Sequence, residues 1–284
     1  MGMKITALIE NTCSPGTAGL KSQHGLSLLV ETAKQKFLCD TGATSLFARN
    51  AARLGLSLSD CELAVITHGH FDHGGGIRAF LGLNPAAEIY LHQNAFEAYY
   101  LHLFGPVRKY IGLDKTLPAS YPANLNLVSG AKEIRPDIHI LTEVLSTSPR
   151  PAGNRKLMRM DGGVLSPDTF RHELVLVVRE KDGLVVFSGC SHRGILNMIE
   201  TVEARFLGET IKAVFGGFHF ARPLIGGLSE KPDLIARIGD ALCCKPHLLK
   251  VYTGHCTGEA AYRILKERMG KKLGRFATGS VIEV

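Results

Sequence analysis

The run His68-Gly-His70-Phe-Asp72-His73 constrains this chain more than any other feature. Three imidazoles and one carboxylate fall within six residues, directly after the apolar stretch Ala64-Val65-Ile66. These donor types bind transition-metal ions, and a strand end delivers them from a fixed backbone. Alternate residues of an extended segment share a face, so His68 and His70 are expected to converge on one ion, with Asp72 and His73 facing a second position. Gly74-Gly75-Gly76 follows, which permits a tight turn beside the site and entry into a helix. A single histidine is most often a core or surface residue, but four donors at this density are not explained in that way.

Periodicity around the run gives a mixed α/β chain. The first half has apolar strand patterns at Lys4–Ile9, Leu26–Glu31, Lys36–Cys39, Leu63–Thr67 and Glu88–His92, with helical patterns near Ser45–Leu54 and up to Leu81. The second half restarts with strands near Leu125–Val128 and Ile138–Leu141, then a Pro, Gly and Arg-rich loop from Ser146 to Asp168. Strands Glu173–Arg179 and Leu184–Ser188 meet at Asp182-Gly183, a strong hairpin signal. Helices Ile195–Phe206, Lys231–Leu242 and Glu259–Met269 then alternate with strands Ile211–Phe215 and Leu248–Thr253. Each half runs from antiparallel strands into strand-helix units, which predicts two sheets face to face with helices outside, an αββα sandwich. We expect one domain over 1–284. Residues 93–122, with Phe96, Tyr99, Tyr100, Phe104 and Tyr110, read as a helical, aromatic insertion whose rings either wall the metal cleft or pin the insertion to the outer helices or to another subunit.

Composition narrows the setting. Hydrophobic residues make up 45% and charged residues 21% of 284, which is ordinary for a globular chain. No apolar run reaches the roughly 20 residues of a membrane span, and no membrane association is expected. The first residues lack a basic and then apolar leader pattern, so export is not expected. Seven cysteines, with Cys243 and Cys244 adjacent, suit a disulfide framework poorly and argue for a reducing compartment, the cytoplasm. The net charge of +7 is scattered, with no aromatic and basic nucleic-acid motif. It suits an anionic small-molecule partner, for which the basic residues Arg150, Arg155, Lys156 and Arg159 are candidates.

The histidine run matches the HxHxDH signature of the metallo-β-lactamase superfamily, and Phe37-Leu-Cys-Asp40-Thr-Gly42 resembles its strand and Asp-Thr-Gly element. Glu10-Asn11, His24-Gly-Leu-Ser27, Ser188-Gly-Cys190-Ser-His192, Gly216-Gly-Phe-His219 and Gly254-His255-Cys-Thr-Gly258 are similar to a narrower group. That group is the 7,8-dihydropterin-6-methyl-4-(β-D-ribofuranosyl)aminobenzene-5′-phosphate synthase-like family. The resemblance implies an αββα fold and two divalent ions, zinc before iron or manganese. It also implies later ligands from strand ends in the second half. Cys190 sits where a bridging or second-site ligand falls, with His192 as the alternative. His255 is the expected final ligand. His219 is its competitor, with a catalytic, supporting or substrate-contacting role. Asp72 would bind the second ion while orienting a hydroxide, Asp40 would support a ligand imidazole, and His24 would line the cleft. The usual His-Thr-x-Gly-His element is missing. His172 and Asp168 lie in that region without matching it, which leaves the first ion's third ligand open.

The function this implies is metal-dependent hydrolysis of an anionic small molecule, phosphate-bearing or otherwise, by a metal-activated hydroxide. Two alternatives are a transferase joining a pterin to an aminobenzene riboside phosphate and a metal-bound ligand sensor without turnover. Elemental analysis tests the ligand assignment: replacing His68 and His70 together by Ala should remove at least one equivalent of bound metal. A folded double variant with unchanged metal content would refute it.

Overall fold

The structure, a computed structural model, describes residues 2–222 and 227–284. The chain divides into two compact units. The first comprises Met1–Ser129, Leu157–His172 and Phe276–Val284; the second comprises Gly130–Lys156 and Glu173–Arg275.

A seven-stranded sheet forms the first unit's frame, in the order Val281–Glu283, Lys4–Ile9, Ser27–Glu31, Lys36–Cys39, Leu63–Ile66, Glu88–His92 and Leu125–Val128. Pairing is antiparallel as far as Lys36–Cys39 and parallel beyond it. The switch follows from the connections, because parallel neighbours need a crossover and the helices Leu46–Arg53 and Ile77–Leu83 supply two of them. All four residues of Leu63–Ile66 are buried, as expected of a strand inside a parallel sheet. Leu29, Leu38, Ala64 and Ile66 from the sheet pack with Phe47 and Phe80 from the two helices in one core.

The expected helical insertion at 93–122 has more strand than helix. Ala98–Phe104 and Val107–Tyr110 form an antiparallel hairpin, and only Leu117–Ser120 is helical. The loop expected from Ser146 to Asp168 is also partly strand, since Leu157–Asp161 and Val164–Pro167 join that hairpin in a four-stranded sheet. The aromatic cluster is responsible for the misreading. Tyr99, Tyr100 and Tyr110 are good strand formers, and their spacing fits two faces of a hairpin as readily as a helix.

The second unit repeats the organisation of the first. Its sheet runs Leu273–Arg275, Leu248–Thr253, Ile211–Gly216, Gly183–Gly189, Val175–Glu180, Ile138–Leu141 and Ala131–Arg135, parallel over the first four strands and antiparallel over the rest. The hairpin expected at Asp182-Gly183 joins Val175–Glu180 to Gly183–Gly189. Helices Ile195–Arg205, Pro232–Cys244 and Glu259–Met269 contribute Met198, Ile235 and Leu265 to a core with Val186, Val214 and Val251. In-register Phe187, Phe215 and Tyr252 stack across three parallel strands, with ring centroids 5.5 and 4.9 Å apart. Among the described residues, no helix is long and apolar enough to cross a membrane.

Candidate metal centre

In the first unit the site is built at the ends of two adjacent parallel strands, Lys36–Cys39 and Leu63–Ile66. The first continues into Asp40 and the second into Thr67-His68-Gly-His70. Asp40 is fully buried and takes a left-handed backbone conformation with φ 61°. Its Oδ1 accepts the Thr67 backbone N–H at 2.8 Å, and its Oδ2 accepts the Thr67 hydroxyl at 2.9 Å and His73 Nδ1–H at 2.7 Å. Thr67 Oγ1 in turn lies 3.1 Å from His68 Nδ1. One carboxylate therefore orients two imidazoles by their Nδ1 atoms, which directs Nε2 as the donor for an ion.

The glycine run has a packing reason. A Cβ on Gly76 would stand 2.4 Å from the Thr41 carbonyl oxygen, so only glycine lets the loop after Asp40 lie against the start of the following helix. The His73 carbonyl accepts the Thr41 backbone N–H at 2.7 Å, which ties the two segments together. The rings of His68 and His70 are 4.7 Å apart and those of His68 and His73 4.1 Å apart, all three buried. Asp72 Oδ2 lies 3.2 Å from His24 Nε2 and 3.8 Å from His73 Nε2. The His24 side chain is 64% exposed, so it faces solvent while reaching the Asp72 carboxylate.

His172 and Asp168 find their place here. The Gly69 backbone N–H donates to His172 Nδ1 at 2.9 Å, and His172 Nε2–H donates to Asp168 Oδ2 at 3.0 Å. Both ring nitrogens are committed, so His172 supports the histidine run and is not arranged as a ligand. Tyr99 packs on His172 with centroids 3.9 Å apart, is 1% exposed, and donates its hydroxyl to the Asn94 carbonyl. The wall of aromatics expected over the cleft is thus an internal support at Tyr99. Phe96 packs on the helix-sheet core and Phe104 is 71% exposed. Arg159 is likewise structural, pairing with Glu97 at 3.1 Å and Asp161 at 2.9 Å.

The second unit delivers its donors in the same way, from the ends of Gly183–Gly189, Ile211–Gly216 and Leu248–Thr253. Ser191, His219 and His255 all have positive φ, at 54°, 53° and 49°. Backbone held in this region by non-glycine residues concentrates at functional sites. Donor atoms of Cys190, His192 and His219 lie within 4.8 Å of one another, as do those of Cys190, His255 and Cys256. Cys190 belongs to both groups, so His219 and His255 each stand beside it. The His192 and His219 rings are 4.3 Å apart, and neither ring nitrogen of buried His219 has a hydrogen-bond partner.

Three supporting residues went unread in the sequence. Asn154 Oδ1 is 2.9 Å from His192 Nδ1, and its amide donates to the His192 carbonyl at 2.7 Å. Glu173 accepts the backbone N–H groups of His192 and Arg193 at 2.7 and 2.8 Å, and burial pushes its carboxyl up to about 8 despite them. An acid at the head of an apolar strand was a signal for it; Asn154 had none. Burial acts to raise the Cys256 thiol, but Cys190, His219 and His255 outweigh it and hold the group well below the ordinary thiol range. The Ser191 hydroxyl donates to Ser188 Oγ at 2.9 Å, which leaves no histidine-activated serine at this position.

Buried imidazoles oriented through Nδ1, a carboxylate and thiols form a donor set that fits divalent transition metals of the zinc type. Asp40→Asn should therefore weaken metal binding about 10- to 100-fold with the fold retained, as measured by competition with a chromophoric chelator. Unchanged affinity would mean that the carboxylate does not support the ligands. Burial, then the neighbouring His172, pushes His70 down to about 3. The folded protein therefore resists protonation there while the unfolded chain takes up a proton near pH 6.5. Stability of the metal-free protein should be intact above about pH 6.5 and fall as pH drops toward 3. Urea unfolding should show this slope reduced in His70→Asn; equal slopes would contradict it.

Residues 23–207 match the family model described as the metallo-beta-lactamase superfamily. The chain is 27% identical over 282 residues to the 7,8-dihydropterin-6-methyl-4-(beta-D-ribofuranosyl)-aminobenzene-5′-phosphate synthase of Methanocaldococcus jannaschii, covering 92% of this chain and 90% of the relative. It is 32% identical to a solved metal-dependent hydrolase of the beta-lactamase superfamily, with 99% of each chain covered and a TM-score of 0.82. The metallo-beta-lactamase fold protein YhfI from Bacillus subtilis shares the fold at 12% identity and a TM-score of 0.59, with both chains fully covered. Joined to the histidine run and the mixed architecture of several sheets, these matches show that the chain belongs to the metallo-β-lactamase superfamily and has its sandwich fold.

Proposed function

We propose that this protein is a metal-dependent hydrolase of anionic small molecules, phosphate-bearing or otherwise, that uses two divalent ions, zinc first among them. The observation that carries the reading is the pair of buried donor clusters, one in each unit, with supporting residues that orient ligand imidazoles rather than pack as core. The solved relative described as a metal-dependent hydrolase, 32% identical over nearly the whole chain, supports it further. When bound, such ions supply Lewis-acid polarisation of a carbonyl or phosphoryl oxygen. Around them, Asp40 and Asn154 fix His73 and His192, and Glu173 holds the backbone that carries His192. Asp72, next to solvent-facing His24, is placed to accept a proton and pass it outward. The exposed Arg150, Arg155 and Lys156 are the remaining candidates for receiving an anion.

A transferase reading is favoured by one observation, the likeness along nearly the whole chain to a relative named as a pterin riboside phosphate synthase. Protein purified without chelator should carry two equivalents of metal and turn over a phosphodiester, phosphate ester or lactone in a metal-reconstituted screen. Product formed only when a pterin and an aminobenzene riboside phosphate are supplied together would favour the transferase. A fully loaded protein inert in both assays would overturn the enzymatic reading.

A further inference from the structure

We propose that Cys256 is a metal ligand, forming with Cys190 and His255 a two-thiolate, one-imidazole donor set for a thiophilic divalent ion. The inference rests on the reading that this protein holds metal, and it adds a ligand beyond those the histidine run and the family resemblance supply.

The geometry comes first. The donor atoms of the three residues lie within 4.8 Å of one another, and all three residues are buried. Sulfur ligands of a tetrahedral zinc-type ion, each about 2.3 Å from it, stand about 3.8 Å apart, so closure by about 1 Å at most completes the set. The Cys256 sulfur is prepared for the charge it would carry. It accepts the His219 backbone N–H at 3.3 Å, a contact that favours a thiolate. Its own hydrogen points to the Cys190 carbonyl oxygen at 3.6 Å. Binding forms two metal-sulfur bonds and one metal-nitrogen bond and releases the two thiol protons to solvent, with no change of oxidation state. The two thiolates neutralise the dication.

The backbone is shaped around this sulfur as well. A Cβ on Gly217 would stand 2.4 Å from Cys256 Sγ, so the absence of a side chain there makes its room. His219, whose backbone N–H meets the sulfur, and His255, the residue before Cys256, hold left-handed conformations. A cysteine serving only to fill core would need neither the polar contacts nor the two strained neighbours. Two sulfurs and an imidazole select zinc, cobalt, cadmium or iron over manganese, magnesium or calcium.

The test uses the full-length protein stripped of metal and reloaded with cobalt(II). Wild type should show a sulfur-to-cobalt charge-transfer band that falls by roughly half in Cys256→Ser and in Cys190→Ser and vanishes in the double variant. Cadmium-113 NMR of the wild type, which needs no substitution, should give a shift in the two-sulfur range. A one-sulfur shift, or an undiminished cobalt band in folded Cys256→Ser, would overturn the inference while leaving the metal reading intact. A Cys190–Cys256 disulfide that persists in reductant and excludes cadmium would also overturn it. Failure of the wild type to take up either metal would sink both this inference and the metal reading.

Discussion

The first unit's donor cluster depends on one buried carboxylate. Asp40 has no exposure to water, and an anion in that position must be fully hydrogen-bonded to be tolerated. Its partners are the Thr67 backbone and hydroxyl and the His73 ring, so satisfying its charge also fixes the start of the histidine run and one of its imidazoles. The arrangement requires the strand ending at Cys39 to lie beside the strand ending at Ile66, and the parallel register of Cys39 with Val65 provides this. Sheet pairing and orientation of the histidine run are therefore the same event, and register slippage would leave the Asp40 charge buried and unsatisfied.

The second unit solves the same problem with different chemistry. Its donors also leave the ends of parallel strands, where open α/β sheets commonly place ligands. Here a neutral amide, Asn154, contacts the His192 ring, while a carboxylate, Glu173, holds the backbone. Positive φ at Ser191, His219 and His255 turns each chain sharply as it leaves its strand. Such conformations cost energy and persist only where the surroundings enforce them, so the strain is consistent with side chains aimed for chemistry.

The small four-stranded sheet changes the meaning of the middle of the chain. Hairpin strands 98–110 and strands 157–167 lead into Asp168 and His172, and Tyr99 packs on the His172 ring. The inserted segment thereby braces the Gly69 backbone between two candidate ligands. Of the aromatic residues in this segment, Tyr99 and Phe96 pack internally, whereas Phe104 is exposed.

The sequence by itself determined the dense run of candidate donors and the plan of the fold. Dense donors after an apolar strand, Asp40 after another, and two successions of antiparallel then strand-helix patterns are local signals, each carried by neighbouring residues. The hairpin at Asp182-Gly183 was legible for the same reason. Only the tertiary structure decided that His172 binds Gly69 and Asp168, that Asn154 and Glu173 serve His192, and that Cys256 stands beside Cys190. It also decided that residues 98–110 pair as strands, because Leu157–Asp161, far along the chain, supplies their partner. These outcomes depend on contacts between residues tens of positions apart, formed once the sheets set their register, and no periodicity within a short window carries that information.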